Sequence, residues 1–435
     1  MSCCVNEENS SVPGSSSPTF QQVSPSLLSG LATNCLVHQS LLSMQTTTLP
    51  SNVQIVDPEL NAVLTSLPDR GAEPSWSSSA ARVESSSFIS YATKDEGSAE
   101  QPFVVFQSEF LDILGPSPVL RVVAEEKNFP FAHEAGIWIP KIREVFFTSN
   151  QFCSDDGATK KITISKISVP NSPDGKYKWE VVLPTPDIVT ANGGVNYGDG
   201  ALFCSQGQGN IAGGLIYMDI KPPYATKVLL NHFHGRPFNA PNDVVVLPFD
   251  GSIWFTDPNY GIIQGLRPKE KLPNHVYAYD PKKGSLRVVA DGLSRPNGIS
   301  FSHDYKVCYI TDTSTYDGTG GLIDHAQATI YAYDVVRSTG STKPDRPYVL
   351  VNRRVFAYAD CGAPDGIKVD LDGNVYAGCL DGLQVWDSDG VLIGKILVPG
   401  GVANFCFTDP GVLLLFNENR IYEARIKAVG SLVRE

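Results

Sequence analysis

Ala363-Pro364-Asp365-Gly366-Ile367-Lys368-Val369-Asp370-Leu371-Asp372-Gly373-Asn374-Val375-Tyr376 decides the fold. It reads as a tight polar turn, a short alternating apolar run, an Asp-Gly turn and a second apolar run. Asp-Gly between two such runs is a hairpin signal. The pattern recurs upstream as Pro241-Asn242-Asp243-Val244 with Asp250-Gly251-Ser252-Ile253-Trp254, and as Pro296-Asn297-Gly298-Ile299 with Val307-Cys308-Tyr309. A looser copy is Ala191-Asn192-Gly193-Gly194-Val195 with Gly200-Ala201-Leu202-Phe203. Asn, Asn, Asn and Asp thus hold one position in four copies of one unit.

Two further copies extend the series. His133-Glu134-Ala135 with Glu144-Val145-Phe146-Phe147-Thr148 puts Glu134 at the leading polar position, and Gly401-Val402-Ala403-Asn404-Phe405 with Val412-Leu413-Leu414-Leu415-Phe416 is a degenerate sixth. The copies lie roughly 40 to 70 residues apart, near the period of propeller blades. Each continues into outer strands such as His275-Val276-Tyr277-Ala278-Tyr279. Six units of four strands predict an all-β, six-bladed β-propeller. The repetition disfavours a β-sandwich. Val119 to Val123 is expected to complete the last blade and close the ring. Phe103 to Phe106 reads as a strand, and Ser108 to Leu114 as a short helix capped by Ser108.

Residues 1–101 are unlike the rest. Runs such as Ser15-Ser16-Ser17 and Ser77-Ser78-Ser79 and scattered prolines sustain no apolar period, so this extension is expected to be largely disordered. The propeller is assigned to 102–435. A formal net charge of −12, with no Lys/Arg run, argues against a nucleic-acid surface. Of the nine cysteines, Cys3 and Cys4 are adjacent and the rest are scattered singly, with no Cys-x-x-Cys spacing. Cys204, Cys308, Cys379 and Cys406 fall in strand-like runs and read as buried hydrophobes. No apolar run approaches about 18 residues and no signal-peptide pattern stands at the start. The expectation is therefore a cytoplasmic protein without membrane or nucleic-acid partners, its oligomeric state unspecified.

The start of each innermost strand faces the axis of a propeller. Glu134, Asn242, Asn297 and Asp365 would converge there from four blades. Two carboxylates and two amides offer oxygen donors alone, which suits one hard divalent cation. The alternative is that each caps its own turn, as Asn and Asp before Gly often do; one register in four copies favours the shared site. Asp257 and Asp312 end inner-strand runs and could reach the mouth of the channel, but read as turn residues. His232 and His234 read as a surface loop. No Gly-x-Ser-x-Gly elbow is present, which disfavours a serine esterase.

Pro241-Asn242-Asp243-Val244-Val245 with Phe255-Thr256-Asp257-Pro258-Asn259-Tyr260-Gly261, Arg295-Pro296-Asn297-Gly298 and Pro364-Asp365-Gly366 together resemble signatures of the gluconolactonase/regucalcin-like (senescence marker protein) family. His133-Glu134-Ala135 with Phe146-Phe147-Thr148-Ser149-Asn150 is similar to its fungal lactonohydrolase branch. The resemblance runs from about Phe103 to the end. It implies a six-bladed propeller with one axial divalent metal, Ca²⁺ first, with Mg²⁺, Mn²⁺ or Zn²⁺ as alternatives. Glu134, Asn297 and Asp365 would be ligands, Asn242 a fourth ligand or a substrate-binding amide, and Asn192 part of the pocket lining. Some members carry an Arg where this chain has Ala240, so a charged substrate anchor is missing.

The implied activity is hydrolysis of a small lactone: an aldonolactone, a hydroxy-acid lactone or a specialised-metabolite intermediate. Asp365 and Glu134 are the expected catalytic carboxylates. His133 is an alternative base and a substrate-binding residue. A phosphotriesterase or esterase on the same metal, and a propeller that only binds a cation or partner, are the competing readings.

Overall fold

The computed structural model describes residues 49–55, 93–95, 98–99, 101–153, 160–318, 321–323, 325–339 and 346–431. The chain divides into two units, Met1–Leu49 and Pro50–Glu435, and everything below lies in the second. Most of the expected disordered extension falls outside the described residues.

Six sheets form the blades, and each innermost strand begins at one of the predicted repeat copies. The first blade runs Glu134–Ile139, Glu144–Thr148, Ile164–Ser168, Lys178–Val182 from axis to rim. The second starts at Ala191–Tyr197, the third at Val244–Leu247 and the fourth at Pro296–Phe301. The fifth and sixth start at Ile367–Val369 and Asn404–Phe407. Six apolar clusters each join two neighbouring blades. Trp254 and Val276 of the third blade, for example, pack with Ile299 and Ile310 of the fourth, and Phe147 of the first packs with Phe416 of the sixth. Both faces of each sheet are thus covered, and the inner strands are almost wholly buried.

The ring closes as expected. Val119–Glu125 is the outermost strand of the sixth blade, antiparallel to Arg420–Arg425, with Arg121 opposite Glu423. Glu423 is buried and accepts bonds from Arg121 Nε at 2.9 Å, Arg425 Nε at 2.8 Å and the Tyr177 hydroxyl. Burial alone would raise its pKa, but these donors outweigh burial and lower it.

The opening stretch forms the predicted hairpin, Val369 facing Val375 and Ile367 facing Ala377. Gly373 takes φ +89 in its turn, and Asp370 Oδ1 accepts the Asp372 and Asn374 amides at 3.0 and 2.8 Å. The four cysteines expected in the core are buried.

Two readings need correction. The fifth blade has six strands: Phe103–Val105 lies antiparallel to Leu392–Leu397, and Val53–Ile55 lies parallel to Phe103–Val105. The propeller unit therefore takes in three residues assigned to the extension, and Val53 is buried in its core. The short helix exists as Glu109–Leu114, but Ser108 does not cap it: its backbone is already helical, and its hydroxyl meets Glu109 Oε2 at 3.2 Å instead of a free amide. No helix among the described residues is long and apolar enough to cross a membrane.

Candidate functional site

A cavity of about 870 Å³ opens where the inner strands begin. Glu134, Asn192, Asn242, Asn297 and Asp365 all line it, as does His133, so the structure brings together every predicted site residue. The apolar residues after each polar one bury between blades, which leaves the polar leader at the strand's mouth end. Glu134, Asn192, Asn242 and Asn297 are buried, and Asp365 is partly open to the cavity.

The glycines beside these residues have a different cause from the expected turn. Gly193, Gly298 and Gly366 do not adopt positive φ. A Cβ on Gly193 would lie 2.4 Å from the Asn242 carbonyl, and one on Gly298 2.3 Å from the Asp365 carbonyl. One on Gly366 would lie 2.4 Å from the Asn404 amide carbon. Each glycine lets the next blade's leading residue press against its own. Threonines of the second strands add to this. Thr148 donates to the Asn192 carbonyl at 3.2 Å, Thr256 to that of Asn297 at 2.7 Å and Thr311 to that of Asp365 at 3.0 Å. The leading residues are thereby fixed by their neighbours, not by their own turns.

Asp257 and Asp312 also do more than turn the chain. Asp257 accepts the amides of Asn239 and Ala240 at 3.0 and 2.8 Å; Asp312 accepts those of Ser294 and Arg295 at 2.7 and 3.0 Å. In both blades the carboxylate grips the backbone three and two residues ahead of the leading Asn. Burial pushes Asp257 up to about 7. His232 and His234 sit in an exposed hairpin away from the cavity lining, as expected.

Asn242 Oδ1 and Asp365 Oδ1 are buried without a hydrogen-bond partner among the described residues. Burial raises the pKa of both Glu134 and Asp365. Glu134 is raised further by the Asp365 charge, and Asp365 by Asp243 and Glu418, while His133 works against both shifts. Asn404 Nδ2 donates to Glu134 Oε2 at 2.6 Å. His133 is raised to about 10: burial opposes its charge, but Glu418, 2.7 Å away, and then Glu134 and Asp365 favour it.

Among the described residues no three His, Cys, Asp or Glu side chains form a metal-holding group. The donor set here is two carboxylates and two amides, with an unpartnered oxygen on one of each kind. Such orphaned buried oxygens, beside carboxylates whose charge burial disfavours, fit a hard cation.

Sequence reasoning missed Glu418, Asn404, Asn150, Gln206, Tyr260 and Tyr316 as site residues. Asn404 stands one place late in the degenerate sixth copy and so escaped the register. Tyr260 carries a pattern visible only in space: its hydroxyl pairs with Thr313 Oγ1 at 2.6 Å, and Asn297 Nδ2 donates to the same oxygen at 3.4 Å. Ile263, Gln264 and Tyr316 also line the cavity. Ala240 is buried, and a Cβ on Gly261 would lie 2.9 Å from its methyl. The segment around Tyr260 therefore packs on the position that the resemblance reserves for an Arg.

The family model described as the SMP-30/Gluconolactonase/LRE-like region matches residues 171–416, more than half of the chain. The chain belongs to this family. It is 30% identical over 331 residues to the lactonohydrolase oryL of Aspergillus oryzae, covering 69% of this chain and 68% of that one. It is 30% identical over 210 residues to a gluconolactonase of Zymomonas mobilis, covering 47% of this chain and 55% of the relative. Among solved structures, a gluconolactonase of Xanthomonas campestris superposes with a TM-score of 0.56 at 24% identity, over 75% of this chain and 95% of its own, and supports the fold.

Proposed function

We propose that this chain hydrolyses the ring ester of a small lactone with the aid of one divalent cation held by Glu134, Asn242, Asn297 and Asp365. The chain is an enzyme of the lactonase class, a hydrolase acting on carboxylic ester bonds. The observation that carries the metal reading is the pair of unpartnered buried oxygens, Asn242 Oδ1 and Asp365 Oδ1, among four leading residues that share one cavity. All donors are oxygens, so Ca²⁺ is the first choice and Mg²⁺, Mn²⁺ and Zn²⁺ follow. Bound there, the cation supplies Lewis acidity, polarising the ester carbonyl and stabilising the charge that develops on its oxygen.

The chain's own residues do the rest. Asp365, partly open to the cavity, takes the proton of the attacking water. Water oxygen bonds to the carbonyl carbon, the ring C–O bond breaks, and the proton passes to the departing alkoxide, giving the hydroxy acid. Glu134, braced by Asn404, holds the second carboxylate charge of the site. Asn192 and His133 face the substrate, and Asn192 is steadied by its bond to the Asn242 carbonyl at 3.4 Å.

Proton release on a panel of lactones tests the reading, with metal-stripped protein, after adding back each cation, and beside Asp365→Ala. Metal-dependent hydrolysis that the substitution abolishes is the expected result. Hydrolysis without metal, or an unaffected variant, would refute the axial mechanism.

A further inference from the structure

The hairpin turn of the sixth blade carries a carboxylate where the backbone disfavours one. Glu418 joins Val412–Asn417 to Arg420–Arg425 at φ +52, a conformation that glycine or asparagine adopts at lower cost. Strain of this kind persists where the surroundings hold it, and it gathers at functional sites.

The surroundings here are the entry to the first blade. Glu418 Oε1 receives His133 Nδ1 at 2.7 Å and Asn150 Nδ2 at 3.2 Å. Its backbone carbonyl accepts the Ala132 amide at 2.9 Å, and the Asn150 amide bonds to the Pro130 carbonyl at 2.9 Å. Both ends of the residue are therefore clamped onto 130–133. Pro130, His133, Asn150 and Glu418 all line the cavity. An ionised carboxylate can only accept, so Nδ1 is the donor of the 2.7 Å bond. Nε2 makes no hydrogen bond to a described residue, and it is the ring nitrogen left to a molecule in the cavity.

We propose that Glu418 is a positioning residue that sets the ring of His133 so that Nε2 meets the bound substrate. The inference rests on the lactonase reading and adds to it a residue from the far end of the chain. A surface ion pair alone would not require a left-handed glutamate, a second donor from Asn150 and a place on the cavity wall.

The test is a double-mutant cycle of Glu418→Ala and His133→Ala, with Glu418→Gln beside it. Turnover is followed on a lactone that the wild type hydrolyses. Glu418→Ala lowers kcat by roughly 10-fold or more, as removal of a histidine's orienting partner does elsewhere. Glu418→Gln, which keeps an acceptor oxygen, recovers part of the loss. The double variant is no slower than His133→Ala alone. Losses that multiply would overturn the proposal, since a structural role in the turn acts whether or not His133 is present.

A second readout does not depend on turnover. The wild type shows a downfield proton resonance for the Nδ1–H bond to the carboxylate, and Glu418→Ala loses it. A resonance unchanged by Glu418→Ala overturns the positioning role. If the wild type opens no lactone, the functional reading has failed, the proposal of a substrate-facing Nε2 falls with it, and the resonance still reports whether Glu418 holds the ring.

Discussion

Alanine at position 298 would strike the contact between the fourth and fifth blades. The new Cβ would lie 2.3 Å from the Asp365 carbonyl oxygen and 3.1 Å from both Ile367 Cγ2 and the Ile367 amide nitrogen. Real Cβ contacts do not fall below 3.0 Å, so the two backbones must part by at least 0.7 Å, the difference from 2.3 Å. The obstacle is backbone and cannot rotate aside. Overpacking of this kind costs about 1–3 kcal/mol. The Thr311 hydroxyl lies 2.7 Å from the Gly298 amide nitrogen and 3.0 Å from the Asp365 carbonyl, and straining this link adds about 1 kcal/mol. Urea unfolding should therefore show Gly298→Ala about 2–4 kcal/mol less stable than the wild type. Gly284→Ala is the control. It has φ +63 and nothing within 4 Å of its Cβ, and should lose only about 1 kcal/mol to left-handed strain. Equal stability of the two variants would refute the claim that these glycines exist for the approach of neighbouring blades.

Asn242→Ala removes one of the two unpartnered oxygens and should weaken Ca²⁺ binding by calorimetry about 10-fold or more while leaving the fold intact. Lys395 is 1% exposed between Asp381 and Asp360, at 2.8 and 2.6 Å, so Lys395→Met strands Asp381 and should cost about 3–5 kcal/mol in urea. The folded pKa of Glu423 is depressed, so its contribution is present above the unfolded value near 4.5 and is lost as pH falls below it. Glu423→Gln should therefore flatten the acid limb of a plot of melting temperature against pH.

The fold was legible because a propeller writes one sentence six times. Asn242, Asn297 and Asp365 share a register, and the register places them on one ring before any contact is known. Val119 to Val123 could be assigned to the last blade as the early strand that closes the ring. What stayed hidden was of two kinds. Glu418 meets His133 across 285 positions, and Asn404 meets Glu134 across 270, so no local spacing announces either. Val53–Ile55 has three residues and pairs parallel, too short for any period to show. Gly373 serves the expected hairpin turn, but Gly366, expected in a tight polar turn, instead makes room for the Asn404 side chain of the next blade.

Ring closure has a consequence for how the protein is made. The bond between Arg121 and Glu423 spans 302 positions. At about 5–20 residues per second, Val119–Glu125 leaves the ribosome roughly 15 to 60 s before its partner strand exists. Through that interval it is an unpaired strand with Val119 and Val122 among the side chains that stay open even in the finished fold. The early propeller strands are therefore captured by late ones, and a chain stopped short of Arg420 would carry a complete first blade and no closed ring.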